Sequence, residues 1–165
     1  MVVRVARPGV IVETGVFDGE SSAVILQALS DAGRGQLVSI DLPAGDPIPG
    51  STDRMRETRL PPGMAPGWLI PHSLRSRHRL ELGDSRELLP KILSGYPGID
   101  MFFHDSLHTL DHQLFEYRTA WPRLVPGGLL LSDDILWNAA FHRFCRAQRR
   151  RYVRVAGGTF GAVRK

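Results

Sequence analysis

Three carboxylates and a histidine in the second half of the chain have the types and spacing of a reactive centre: Asp105, His108, Asp133 and Asp134. Asp105 and the Asp133-Asp134 pair each follow an apolar run, so two strand ends would deliver three acids to one place. Carboxylates crowded together repel unless a cation neutralises them. Oxygen-only ligands favour a hard ion, Mg²⁺ first. His108, three residues beyond Asp105, is placed to act as a general base near neutral pH. The competing reading makes Asp133-Asp134 a helix cap and leaves Asp105 to bind an amine.

A second group lies near the start, in Val10-Ile-Val-Glu-Thr-Gly-Val-Phe-Asp-Gly-Glu-Ser-Ser22. A β-branched strand runs into Glu13, a turn with Gly15 and Gly19, and a helix opening at Ser21. Such a turn brings backbone close to a ligand, and the helix start offers free N–H groups to an anion. Glu13 is suited to hold a cation or a hydroxyl. The spacing departs from the Gly-x-Gly-x-x-Gly dinucleotide fingerprint. Asp41 ends the next apolar run, where an acid accepts ribose hydroxyls. Gly83-Asp84-Ser85 ends the third and is suited either to an adenine edge or to capping a helix.

The elements that must position these residues follow from periodicity and punctuation. Strands are expected at Val10–Thr14, Gln36–Ile40, Arg79–Leu82, Ile99–Phe103 and Leu129–Leu131. Helices are expected at Ser21–Ala32 and Ser85–Leu93. A third is marked by Leu114, Tyr117, Trp121, Leu124 and Val125, and a fourth by Trp137, Phe141, Phe144 and Cys145. Tyr152–Val155 and Phe160–Val163 read as a hairpin across Gly157-Gly158. Strands alternating with helices imply an α/β, Rossmann-like, mostly parallel sheet with helices on both faces, closed by a C-terminal antiparallel hairpin. Each parallel strand then ends at a carboxylate, where open α/β sheets bind ligands. The Pro- and Gly-rich stretch Pro43–Arg77 is a long connection of the kind that lines or covers a site.

The chain has 165 residues, a net charge of +4 and one cysteine, Cys145. That length suits one domain, and the lone cysteine excludes an internal disulfide framework and points to the cytoplasm. No apolar run is long enough to span a membrane. Arg149-Arg150-Arg151 is read as a solvated helix end; without interleaved aromatics a nucleic-acid partner is disfavoured.

These motifs together resemble class I S-adenosylmethionine-dependent methyltransferases, and among them the metal-dependent small-molecule O-methyltransferases. The resemblance runs through Glu13-Thr14-Gly15, Gly19 and Ser21, then Ser39-Ile40-Asp41, Gly83-Asp84-Ser85, Asp105 and Asp133-Asp134. It implies that Gly15 and Gly19 let backbone approach the methionine part of the cofactor and that Ser21 binds its carboxylate. Asp41 would hold the ribose, and Asp84 with Ser85 the adenine. Glu13, Phe17 and Gly83 complete the cofactor set. Asp105, Asp133 and Asp134 would hold Mg²⁺, with Asp105 near the cofactor amine.

Catechol-type relatives have a catalytic lysine where this chain has His108, and the macrolide-sugar type, with histidine in Asp-x-x-His, is more similar. Relatives carry helices ahead of the first strand, so a single domain over 1–165 without those cover helices is expected. The acceptor site would then be built by Pro43–Arg77 or by a partner subunit, and apolar surface left uncovered by the short N-terminus would favour a homo-oligomer. The implied activity is methyl transfer to a hydroxyl of a small molecule. The alternatives are a cofactor-binding module without turnover and an NAD-dependent oxidoreductase.

Overall fold

The computed structural model describes residues 2–45 and 60–165. Seven strands form one sheet in the order β3-β2-β1-β4-β5-β7-β6. They are β1 Val10–Thr14, β2 Gln36–Asp41, β3 His78–Leu82, β4 Ile99–His104, β5 Leu124–Ser132, β6 Tyr152–Val155 and β7 Phe160–Arg164. The first five run parallel; β7 lies antiparallel between β5 and β6. Five helices accompany them among the described residues: α1 Val2–Ala6, α2 Glu20–Asp31, α3 Ser85–Ser94, α4 Leu110–Ala120 and α5 Ala140–Ala147. The α/β architecture and the C-terminal antiparallel pair are thus as the sequence pattern implies.

Alternation along the strands divides the core into two layers. Val12, Val38, Phe102 and Leu130 pack against Leu89 and Leu93 of α3, Tyr117 of α4, and Phe141 and Phe144 of α5. Ile11, Leu37, Met101 and Leu131 face the other way, onto Val3 of α1 and Ile25, Leu26 and Leu29 of α2. The same alternation continues into the polar end of β1. Glu13 enters the α2 layer and Thr14 the α4 layer, and both are wholly buried.

Two expected boundaries move. The helix drawn through Leu124 and Val125 ends at Ala120, followed by a short 3-10 turn at Trp121–Arg123. Pro122 lacks the amide an α-helix needs, and Leu124 instead pairs with Ile99, which extends β5 well beyond Leu129–Leu131. Trp137 lies outside a helix, in a turn whose N–H donates to the Asp134 carbonyl at 3.0 Å; α5 starts only at Ala140. Of the long connection, residues 46–59 lie outside the described residues. Its later part turns through 61–69 and then forms a 3-10 helix at His72–Arg77.

Candidate functional site

Register aligns the ends of the parallel strands. Asp41 pairs with Leu82, Thr14 with both Ile40 and His104, and His104 with Ser132. One residue further, the row reads Leu82, Asp41, Gly15, Asp105, Asp133. Backbone bonds carry the ladder into that row: Gly15 N–H to Ile40 O at 2.9 Å, Asp105 N–H to Thr14 O at 2.8 Å, and Asp133 N–H to His104 O at 3.0 Å. Three acids separated widely in sequence are therefore brought side by side across the sheet.

The β1–α2 turn is held from beneath. Asp41 Oδ2 accepts the N–H groups of Val16 (3.0 Å) and Phe17 (2.7 Å), and its Oδ1 accepts that of Leu42 (2.7 Å). Burial raises the Asp41 pKa, and the three amides oppose the rise. Phe17 takes a positive φ of 51°, uncommon outside glycine, and the Asp41 bond to its amide fixes that conformation. Oδ1 retains lone-pair capacity for a hydroxyl. Gly15 and Gly19 also have positive φ, 85° and 95°. A Cβ on Gly15 would overlap the Asp105 carbonyl, and one on Gly19 would lie 2.8 Å from Gly67 Cα. The close approach these glycines permit is thus by the chain itself. Residues 67–69 lie along the turn, with Gly67 N–H to Phe17 O at 2.8 Å and Leu69 N–H to Asp18 O at 2.9 Å.

Two serines do something other than cap. The N-cap of α2 is Gly19, with no side-chain bond, rather than a serine. Ser21 and Ser22 turn inward and donate to Glu13 at 3.1 and 2.6 Å, and Ser39 donates to it at 2.7 Å. Burial, only partly offset by these hydroxyls, pushes the Glu13 pKa up to about 7. Ser39 spends its proton on Glu13, so the 3.0 Å contact to His78 Nε2 has the imidazole N–H as donor. The Asp84 side chain accepts from Arg86 N–H and caps α3.

Ser85 points into a buried cluster centred on Glu116, a residue that sequence reading overlooks. Glu116 Oε1 accepts from Ser85 Oγ (2.6 Å), Ser106 Oγ (3.0 Å) and His112 Nε2 (2.9 Å). Its Oε2 accepts from Thr14 Oγ1 and His104 Nδ1, each at 2.6 Å. Burial would raise this carboxyl, but the two imidazoles outweigh it and hold the pKa far below the usual carboxylate range. The cluster ties the ends of β1 and β4, the start of α3 and the segment after Asp105 to one helix.

At the acidic end, His108 Nε2 lies 3.8 Å from Asp105 Oδ1 and 4.0 Å from Asp134 Oδ2. It is buried and has no hydrogen-bond partner. Its ring packs edge-on against His104 and at a tilt against Trp137, with centroids 5.3 and 5.2 Å apart. Asn138 Nδ2, also missed in the sequence, donates to the His108 carbonyl at 3.0 Å and to Gln113 Oε1 at 2.7 Å. Burial, then the nearby His104, lowers the His108 pKa to about 4, so the ring is neutral at neutral pH. Burial, with repulsion from Asp133, Glu13, Asp134 and Asp41, raises Asp105 to about 8. Asp134, at a φ of 48°, is raised by burial and by Asp133. Among the described residues no three His, Cys, Asp or Glu side chains form a ready-made metal cage. The acids and His108 share one corner without closing on a common point.

Comparison with known proteins identifies the family and the fold. Residues 12–135 match a family profile described as a methyltransferase domain, and the chain belongs to that family. Its fold is that of the class I S-adenosylmethionine-dependent methyltransferases. Among solved structures, an O-methyltransferase from Bacillus cereus in complex with SAH superposes with a TM-score of 0.65 at 15% identity, covering 99% of this chain and 77% of that one. TomG, an O-methyltransferase from Streptomyces achromogenes in complex with SAM, gives 0.65 at 18%, with 99% and 75% covered. CalS11, a TDP-rhamnose 3′-O-methyltransferase of calicheamicin biosynthesis, gives 0.68 at 18%, with 98% and 74% covered. No curated protein matches.

Proposed function

We propose that this protein transfers a methyl group from S-adenosylmethionine to a hydroxyl of a small molecule, assisted by a divalent cation. The observation that carries the reading is His108 Nε2, buried, unpartnered and within about 4 Å of two acids from different strand ends. The Asp41, Gly15, Asp105 row and the held β1–α2 turn would receive the cofactor. Asp41 Oδ1 has spare capacity for a ribose hydroxyl, and Asp105 is placed for an amine. Asp105, Asp133 and Asp134 would hold the cation: their oxygens suit a hard ion, and their mutual repulsion is what a cation relieves. When bound, the cofactor supplies a methyl group on cationic sulfur and the metal supplies a Lewis acid for the acceptor oxygen.

The chain's own part is to position and to move a proton. His108, kept neutral by burial, has an unpartnered ring nitrogen, Nε2, to accept the hydroxyl proton. The Glu116 cluster fixes the segment from which Asp105 and His108 project. Calorimetric titration with S-adenosylmethionine, followed by methyl-transfer assays on phenols, sugars and polyols with Mg²⁺ or EDTA, tests the reading. No cofactor binding would defeat it, and preference for a nicotinamide cofactor would turn it toward oxidoreduction. Binding without turnover on any acceptor would reduce it to a cofactor-binding module. Equal rates in EDTA would remove the metal.

A further inference from the structure

The charge of this chain is unevenly placed. After Asp134 the sequence contains eight Arg and Lys and no Asp or Glu. Much of this charge gathers on one feature, an open cleft of about 400 Å³ between α5 and β6. It is lined by His142, Cys145, Arg146, Arg150, Arg151 and Tyr152. No carboxylate is among these lining residues in the described chain. Two arginines elsewhere in the described residues pair with acids, Arg4 with Asp31 and Arg79 with Glu81, and several others bond backbone carbonyls, as Arg75, Arg77 and Arg123 do. Arg146, Arg150 and Arg151 have no such partner among the described residues and are exposed.

The backbone produces this crowding. After Gln148, Arg149 adopts a φ of 54°, the left-handed helix stop that glycine ordinarily fills at a cost to other residues of about 1 kcal/mol. Arg149 N–H bonds to Arg146 O and Arg150 N–H to Cys145 O, each at 3.0 Å. The chain reverses, and Arg150 and Arg151 come back over the cleft that Arg146 and His142 already face. A helix C-terminus accounts for one favourable cation in its last turn; it does not account for three guanidinium groups turned onto one concavity without a counter-charge. Arg150 and Arg151 precede β6 at the end remote from the strand-end row, since Tyr152 pairs with Val163 and Val155 with Phe160. The cleft is therefore separate from the methyl-transfer site.

We propose that this cleft binds a compact phosphate-bearing anion, a diphosphate or polyphosphate group. Guanidinium forks bind phosphate oxygens bidentately, and the Tyr152 hydroxyl and His142 add polar groups at the wall. A small anion suits the site better than a nucleic-acid strand. The two rings in the cleft, Tyr152 and His142, are engaged edge-on with each other, and Tyr152 also with Phe141, so the lining has no row of separate platforms for successive stacked bases.

The test is calorimetric titration of the full chain with inorganic pyrophosphate, compared between two charge-matched double variants. Arg150→Ala/Arg151→Ala removes two cleft groups. Arg143→Ala/Arg154→Ala removes two exposed arginines outside it. Saturable one-to-one binding is expected, weakened about tenfold or more in the first variant and within about twofold of the parent in the second. Arg146→Ala, a third cleft variant, should weaken binding as well. All are surface changes, and circular dichroism checks that each folds. Absence of saturable binding would overturn the proposal, as would equal losses in the two double variants, which would mean diffuse charge. Stronger binding of a single-stranded RNA oligonucleotide, lost equally in both variants, would overturn it in favour of a nucleic-acid face.

Discussion

Glu13 and Glu116 are both fully buried, on opposite faces of the sheet, yet their carboxyls are tuned in opposite directions. Successive residues of β1 create the contrast. Glu13 itself faces α2 and meets only hydroxyls, those of Ser21, Ser22 and Ser39. Thr14 faces α4 and donates to Glu116, which also receives two imidazoles. Hydroxyls alone leave the desolvation of Glu13 uncompensated, whereas the imidazoles keep Glu116 ionised. One face of the site floor therefore holds a permanent anion and the other a group that titrates.

Glu116→Gln should be strongly destabilising. Five donors converge on the carboxylate, and an amide would set its own NH₂ against some of them. Breaking a buried charged cluster costs about 3–5 kcal/mol, which in a domain of this size lowers Tm by roughly 6–20 °C. Thermal unfolding followed by circular dichroism checks it. A Tm within about 2 °C of the parent would mean that the cluster is not a stabilising centre.

Glu13→Gln should show the pH signature of the other acid. In the folded chain Glu13 releases its proton near 7, against an ordinary 4.5. Between those values the fold holds a proton that the unfolded chain has lost, so this contribution is full below the lower value and fades as pH rises through the upper. Glutamine is neutral throughout. The Tm of Glu13→Gln relative to the parent should therefore rise steadily from about pH 5 to about pH 8. Parallel Tm–pH curves for the two proteins would contradict the assignment.

These two clusters also show what the sequence made legible. The strand-end acids were readable because each follows an apolar run of strand length, and a parallel sheet must bring such ends together. The Glu116 cluster was not, because its partners extend from Thr14 to His112 and no local pattern joins them. Ser21 read as the opening of the helix and as a ligand group because Ser before an apolar-periodic run usually marks such a start. Only the fold shows Gly19 ending the turn and both serines facing the sheet. Leu124 and Val125 fitted a helical face, and it is Pro122 together with pairing to Ile99 that gives them to β5.

Gly15→Ala should be among the most damaging single changes in the chain. The position combines a φ of 85° with direct overlap of any Cβ and the Asp105 carbonyl. Backbone cannot step aside as a flexible side chain does, so relief requires parting β1 from β4 where Asp105 N–H bonds Thr14 O. A loss above about 4 kcal/mol is expected, seen as a collapse in soluble folded protein or in the urea midpoint. Gly33→Ala serves as control, because its φ is also positive but nothing lies within 4 Å of a Cβ there. Comparable losses at the two positions would assign the effect to backbone conformation alone and not to the Asp105 contact.

His108→Ala separates proton transfer from binding. The ring touches His104 and Trp137 but makes no side-chain hydrogen bond, so its removal leaves no polar partner stranded. On the proposed reading, methyl transfer should fall by about 10²–10⁴-fold, the usual contribution of a positioned general base. Affinity for S-adenosylmethionine should stay within about threefold, because the Asp41 and Gly15 side of the row is untouched. Stopped-flow or endpoint transfer assays, paired with titration calorimetry on the same preparation, give both numbers. Undiminished transfer would assign the proton to solvent or to another group. An equal fall in affinity and rate would make His108 part of the binding surface and leave the base unidentified.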